Sequence, residues 1–132
     1  MSIDELLDQI EKNAGLLNTE LYAADSLLKR VQEKLVNINL GIQFFIDTPT
    51  RVGCSGKYKE VKSIGFSEVE CEWCLAIMHV STYEGRPDMI KVFPLMSFDR
   101  EFRILAAKQI PELLHVALDH ISRRLLIVGM KE

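Results

Sequence analysis

The first third of the chain carries a regular stripe of apolar residues. Their positions follow one another at alternating steps of four and three residues: Ile3, Leu7, Ile10, Ala14, Leu17, Leu21, Ala24, Leu28, Val31, Leu35 and Ile38. This spacing is a heptad repeat of about five heptads, which predicts one long amphipathic helix. Ser2 and Glu5 have the spacing of a capping box, so the helix should begin at the second residue and run to about residue 35.

Two kinds of partner could cover this stripe. A narrow seam of two apolar positions per heptad pairs two helices by knobs-into-holes packing, whereas a wider stripe packs on the chain's own sheet. The flanking positions are apolar only in patches, so we keep both interpretations, and both hold if the N-terminal half of the helix projects beyond the domain. The interface predicted for self-association is Leu7, Ile10, Leu17, Leu21, Leu28 and Val31, in parallel or antiparallel pairing.

After the helix the period changes to that of strands. Apolar and polar residues alternate from Val36 to Ile46, which predicts a half-buried strand, and the glycine-containing stretch Arg51 to Lys59 predicts a polar loop. A short strand is expected at Ile64 to Ser67. Trp73 to Tyr83 is the next clear strand, and because both of its faces are apolar we expect it to be central and covered on each side. Met89 to Met96 should return as its antiparallel partner.

The last third of the chain has a helical pattern with an interruption. Ser97 or Asp99 can cap a helix that begins near Arg100. Apolar positions continue through Ile104, Leu105 and Ala107, and resume after Pro111 through Leu114, Leu118, Ile121 and Leu125. Proline fits the first turn of a new helix, so a bend is expected near Gln109. The predicted fold class is α+β in one domain, 1–132: a long heptad-patterned helix (1–35), an antiparallel sheet of three to four strands (36–97) and a bent C-terminal helix (98–128).

Composition and charge restrict the classes of function. The chain has 132 residues, of which 48% are hydrophobic and 27% charged, as in globular proteins. Its net charge of −3 argues against a general affinity for nucleic acid. No apolar run approaches the length of a membrane span, and the N-terminus lacks the order of a signal peptide. We therefore expect a cytoplasmic protein, away from the membrane, with reduced cysteines.

A zinc site is one metal centre that the sequence suggests. Cys71 and Cys74 have CxxC spacing, and Cys54 and His79 could complete four ligands. Two cysteines three residues apart on an extended strand, however, direct their sulfur atoms to opposite faces. We therefore predict no metal and no other cofactor.

Function is predicted by exclusion and by the heptad stripe. No nucleophile–base arrangement, phosphate-binding loop or paired-carboxylate motif is present in the sequence. The leading hypothesis is a non-enzymatic protein–protein interaction protein of the adaptor, chaperone or inhibitor type, which forms homodimers through its first helix. A dense charge cluster, Arg100, Glu101 and Arg103, is the possible surface for an unidentified protein partner. The alternatives are a module that binds duplex RNA, and an enzyme whose site is assembled from distant residues.

Overall fold

The computed structural model describes residues 2–46 and 51–130. Its first element is the long helix α1, Ile3–Ile38. The predicted cap is confirmed, because the Ser2 hydroxyl accepts a hydrogen bond of 3.2 Å from the backbone N–H of Glu5. Asn39 ends the helix in the left-handed region, with φ 56, which asparagine tolerates better than most residues. The predicted strand from Val36 to Ile46 is therefore wrong except at Phe44–Phe45, since residues 36–38 complete the last turn of α1 and residues 39–43 form no strand.

Five strands form one antiparallel sheet. They are β1 Phe44–Phe45, β2 Arg51–Ser55, β3 Tyr58–Val69, β4 Glu72–Tyr83 and β5 Met89–Pro94. β3 and β4 pair along their whole length, β5 lies at one edge, and the two short strands β1 and β2 share the other edge of β3. The predicted polar loop is thus wrong: Gly56 and Lys57 make a tight turn between β2 and β3, and Gly56 supplies the positive φ of that turn.

The C-terminal third contains two helices, α2 Arg100–Lys108 and α3 Ile110–Met130, after a short 3₁₀ turn at Leu95–Ser97. Asp99 caps α2, because its Oδ1 accepts a hydrogen bond of 2.8 Å from the N–H of Phe102. The predicted break is confirmed at Gln109. Pro111 lies in the first turn of α3, where its missing N–H costs no helical hydrogen bond.

The hydrophobic core lies on one face of the sheet. The strand residues in it share that face by register, as the paired residues Phe44 and Phe66, Phe66 and Leu75, and Ile64 and Ile77 show. The helices contribute Leu28, Val31, Leu35, Phe102, Ala106, Ile110, Leu113 and Ala117. The side chains that alternate with the core residues along β4 lie outside this cluster. Ala76 among them is fully buried, whereas Cys74, Met78 and Val80 are half-buried, so the second face predicted to be covered on β4 is fully covered only at Ala76.

Gly65 allows β1 to join the sheet. It pairs with Phe45, and a Cβ atom at this position would overlap the carbonyl oxygen of Phe44 and the ring of Phe45. The same edge is held by Ser67, whose hydroxyl donates a hydrogen bond of 3.0 Å to the side-chain oxygen of Gln43. This close approach brings Phe44 onto Phe66 in the core, with ring centroids 5.8 Å apart.

Candidate protein-interaction surfaces

The heptad stripe of α1 divides into a buried half and an exposed half. From Ala24 to Leu35 its residues are buried, with Leu28 0% exposed, whereas Ile38 at the end of the helix is exposed. Before that point every residue from 2 to 20 is exposed, and Ile10 keeps 62% of its surface accessible. Of the predicted interface, Leu28 and Val31 belong to the chain's own core, Leu21 is half-buried at the boundary, and Leu7, Ile10 and Leu17 remain accessible. We call residues 3–20 the α1 extension.

Polar contacts hold the other half of α1 in place. Asp25 Oδ1 lies 3.0 Å from Arg103 Nε on α2, and Gln32 Oε1 accepts a hydrogen bond of 3.0 Å from the N–H of Leu75 on β4. The pairing of β4 with β5 ends at Ala76, which lies opposite Pro94, so the N–H of Leu75 is just beyond it. The Gln32 side chain accepts the hydrogen bond from this N–H. These anchors begin one residue after Ala24, so the helix is fixed to the domain only beyond its exposed extension.

A second exposed apolar stripe runs along α3. The helix packs into the core through Ile110, Leu113 and Ala117, and on another side it carries Leu114, Leu118, Ile121, Leu125 and Val128. Four of these five are exposed and Ile121 is half-buried; Leu125 keeps 66% of its surface. The sequence pattern identified this row as helical but not as a surface. Its steps of four, three, four and three residues, the same as those of α1, were the available signal. We call this row the α3 stripe.

The two helical surfaces differ in charge. The α1 extension contains five carboxylates and one amine: Asp4, Glu5, Asp8, Glu11, Glu20 and Lys12. The exposed part of α3 beyond Asp119 carries Arg123 and Arg124 and no acidic residue up to residue 130. By helical phase, Asp4, Glu11 and Glu20 flank the row of the α1 extension, whereas Arg124 flanks the α3 stripe and both Asp119 and Arg123 lie on the far side of α3.

The sheet face opposite the core forms a third apolar surface. Its cross-strand rows include Val61, Val80 and Ile90, and next to them Ser63, Met78 and Val92. Ile90 is exposed, whereas Val61, Met78, Val80 and Val92 are half-buried. Period-two alternation within Trp73 to Tyr83 was the sequence signal for this face. The pattern indicated an apolar face but could not indicate whether the chain covers it.

A polar cluster occupies the core-side face of the sheet, beyond the helices. Glu60 Oε1 lies 2.6 Å from His79 Nε2 and 3.1 Å from Lys62 Nζ. The hydrogen bond from Lys62, with added attraction from the Lys62 and His79 charges, holds the pKa of Glu60 below its ordinary value. The nearby Ser81 hydroxyl is hydrogen-bonded to Tyr58 at 3.3 Å, so it is not aligned with His79 as a nucleophile. The arrangement is that of a cross-strand ion-pair network.

The zinc candidates do not converge. Cys71 is exposed in the two-residue turn between β3 and β4, where both Glu70 and Cys71 have positive φ, so placing it on an extended strand was wrong. Cys74 is half-buried on the face opposite His79, which lies five residues farther along β4. The side chain of Cys54 lies outside the described part of the structure. Among the described residues, no three histidine, cysteine, aspartate or glutamate side chains are grouped to hold a metal.

The local environments of the cysteines differ. Burial raises the pKa of the Cys74 thiol, and the negative charge of the neighbouring Glu72 raises it further. A raised pKa lowers the fraction of reactive thiolate at neutral pH. Cys74 therefore has the environment of a structural, weakly reactive cysteine, whereas Cys71 is exposed to solvent in the turn between β3 and β4.

The predicted charge cluster on α2 is divided by the fold. Arg100 and Glu101 are exposed in the first turn of the helix. Arg103 points inward, because its guanidinium contacts Asp25 and also donates a hydrogen bond of 2.9 Å to the carbonyl of Phe98. Arg100 and Glu101 are thus available to a partner, whereas Arg103 connects α2 to α1.

Two results remain, one on the described helices and one on similarity to known proteins. None of the helices in residues 2–46 and 51–130 combines the length and apolar character needed to cross a bilayer. Comparisons with protein-family models, with curated proteins and with solved structures found no match to this chain.

Proposed function

We propose that the protein is a non-enzymatic protein–protein interaction protein that forms a homodimer through the α1 extension and presents other surfaces to a protein partner. Adaptors, chaperones and inhibitors act in this way. The observation that carries the proposal is the exposed heptad stripe of the extension, in which Leu7, Ile10 and Leu17 lie on one side of a helix that the core does not cover.

The extension needs a partner for its own stability. Most helical stability in proteins comes from packing of an amphipathic face, which the extension lacks within its own chain, and Asn13, Gly15 and Asn18 have low helix propensity. Full burial of an isoleucine or leucine side chain contributes about 1.5–3 kcal/mol. Four such side chains from each of two copies can offset an association cost of about 4–15 kcal/mol. A narrow seam suits another helix, and a second copy supplies one of matching length.

The rival functions require other surfaces. A module for duplex RNA needs a basic face, and the most exposed helix of this chain is acidic, so it would repel phosphates. An enzyme needs convergent polar groups in a cleft, and the cluster of Glu60, Lys62 and His79 is instead paired within itself. The structural support for RNA binding and for catalysis is therefore weaker than the support that the exposed heptad stripe gives to dimer formation.

Native mass spectrometry combined with sedimentation velocity tests the proposal. The protein should be a dimer at micromolar concentration, and the variant Ile10→Asp should be a monomer with unchanged near-UV circular dichroism. Leu16→Asp is the matched control, because Leu16 is exposed on the same helix but lies off the stripe. A monomeric natural protein, or an Ile10→Asp variant that remains as dimeric as Leu16→Asp, would overturn the proposal. The same spectra report bound metal or nucleic acid.

A further inference from the structure

The α1 extension and the α3 stripe are two complementary surfaces that one chain leaves uncovered. We infer that in the homodimer the α1 extension of each copy packs on the α3 stripe of the other copy. This inference rests on the proposed function, because it names which part of a second copy covers the heptad stripe.

The spacing of the two rows is the first argument. The extension presents Ile3, Leu7, Ile10, Ala14 and Leu17, and α3 presents Leu114, Leu118, Ile121, Leu125 and Val128. Each row has five positions at steps of four, three, four and three. Knobs-into-holes packing requires the same period on both helices, because each side chain of one helix enters a hole between four residues of the other. The two rows therefore match in period and in length.

Charge selects the mixed pairing over pairing of like helices. Two α1 extensions side by side would bring together two sets of five carboxylates, each with only one amine. Two α3 stripes side by side would bring the Arg124 side chains of both copies next to the same seam. Like charges next to a helical seam oppose association, whereas opposite charges favour it and speed the encounter. An α1 extension against an α3 stripe places the flanking carboxylates of α1 on the same seam as the Arg124 guanidinium group.

Symmetry completes the argument. In a two-fold dimer, if α1 of one copy contacts α3 of the other, the reverse contact forms at the same time. Both stripes of both chains are then covered, and the assembly closes. Pairing of α1 with α1 would cover one stripe and leave the exposed leucines and valine of both α3 helices in water, which favours further association.

Cross-linking between separately labelled copies tests the inference directly. In a background with Cys54, Cys71 and Cys74 replaced by serine, one preparation carries Ile10→Cys and the other carries Leu125→Cys. After mixing and subunit exchange, a short flexible bis-maleimide should join mainly one chain of each kind. Leu16→Cys in place of Ile10→Cys is the control. It should give little cross-linked product with Leu125→Cys chains or with a second Leu16→Cys chain.

Reversal of charge provides a second measurement that does not depend on the register of the helices. Arg124→Glu should raise the dimer dissociation constant about threefold or more, because the one basic side chain that flanks each α3 stripe changes sign. Adding Asp4→Lys and Glu11→Lys to the same chain should restore most of the affinity. Lys91→Glu, an equal charge change at an exposed position of β5, should leave the constant unchanged.

The outcomes separate this inference from the proposed function. A dimer that cross-links only between two Ile10→Cys chains, or that is not restored by the compensating lysines, overturns the α1–α3 pairing and leaves the homodimer standing. A protein that remains monomeric overturns both. Cross-links between Ile10→Cys and Leu125→Cys chains together with restored affinity support both.

Discussion

Arg103 on α2 and Asp25 on α1 form an ion pair, with Nε 3.0 Å from Oδ1. The same guanidinium donates a hydrogen bond of 2.9 Å to the carbonyl of Phe98, just before the helix cap. The two side chains are only 20% and 27% exposed, so solvent screens the pair less than at an open surface. Because Asp25 follows the first buried residue of the stripe, this contact sets where α1 leaves the core and its extension begins.

Replacing Arg103 by alanine should lower the free energy of unfolding by about 1–2 kcal/mol, since it leaves Asp25 and a backbone carbonyl without their charged partner. Urea denaturation below the concentration of dimer formation measures the change. Arg100→Ala is the matched control on the same helix; its side chain is exposed, and its effect should stay within about 0.5 kcal/mol. Equal effects of the two substitutions would show that the ion pair does not connect the helices.

Leu28 and Leu7 occupy equivalent positions of one heptad stripe but should respond very differently to alanine. Leu28 is 0% exposed, so Leu28→Ala should reduce the free energy of unfolding by about 2–5 kcal/mol through lost burial and a cavity. Leu7 is 57% exposed, and Leu7→Ala should change the stability of the monomer by less than about 0.5 kcal/mol while weakening the dimer. Comparable stability losses at the two positions would mean that the extension packs within its own chain.

This contrast shows how far periodicity alone could lead. The repeat predicted the helix, and the pair Ser2 and Glu5 predicted its start, because both depend on neighbours in sequence. The division of the stripe near Leu21 depends on where α2 and the sheet stand, which spacing does not contain. Periodicity reports that a face is apolar and not what covers it. Leu7, Ile10 and Leu17 could therefore be predicted as a surface only as one of two alternatives.

The sheet and α3 show two further limits. β3 extends from Tyr58 to Val69, but its polar first half resembles a loop, and the turn at Glu70 and Cys71 has none of the glycine or asparagine that normally marks positive φ. In α3 two adjacent rows are apolar, one through Leu113 and one through Leu114. The two rows are offset by one residue, which is about 100° around the helix axis. Only tertiary contacts decide which of the two rows enters the core.

Gly65 should tolerate no side chain, whereas Gly15 should accept one. A Cβ at Gly65 meets the backbone oxygen of Phe44, which strand pairing holds in place, so Gly65→Ala should cost about 1–3 kcal/mol. Gly15 lies within α1 with nothing near its missing Cβ, so Gly15→Ala should raise helicity and stabilise the extension by up to about 1 kcal/mol. Denaturant titration and far-UV circular dichroism measure the two effects. A harmless Gly65→Ala substitution would mean that β1 does not lie against β3 as described.

Cys71 and Cys74 should differ in their rates of alkylation, although they have CxxC spacing. Cys71 is exposed on its turn, whereas Cys74 is half-buried and has a raised pKa, so less of its thiol is ionised at neutral pH. Iodoacetamide under native conditions, followed by peptide mass mapping, should label Cys71 first. Raising the pH should reduce the difference, because Cys74 then ionises, and denaturation should remove most of it. Glu72→Gln should speed labelling of Cys74 slightly, since it removes the second cause of the raised pKa. Added zinc should protect neither cysteine, because His79 lies on the opposite face of β4; joint protection by equimolar zinc would contradict this separation.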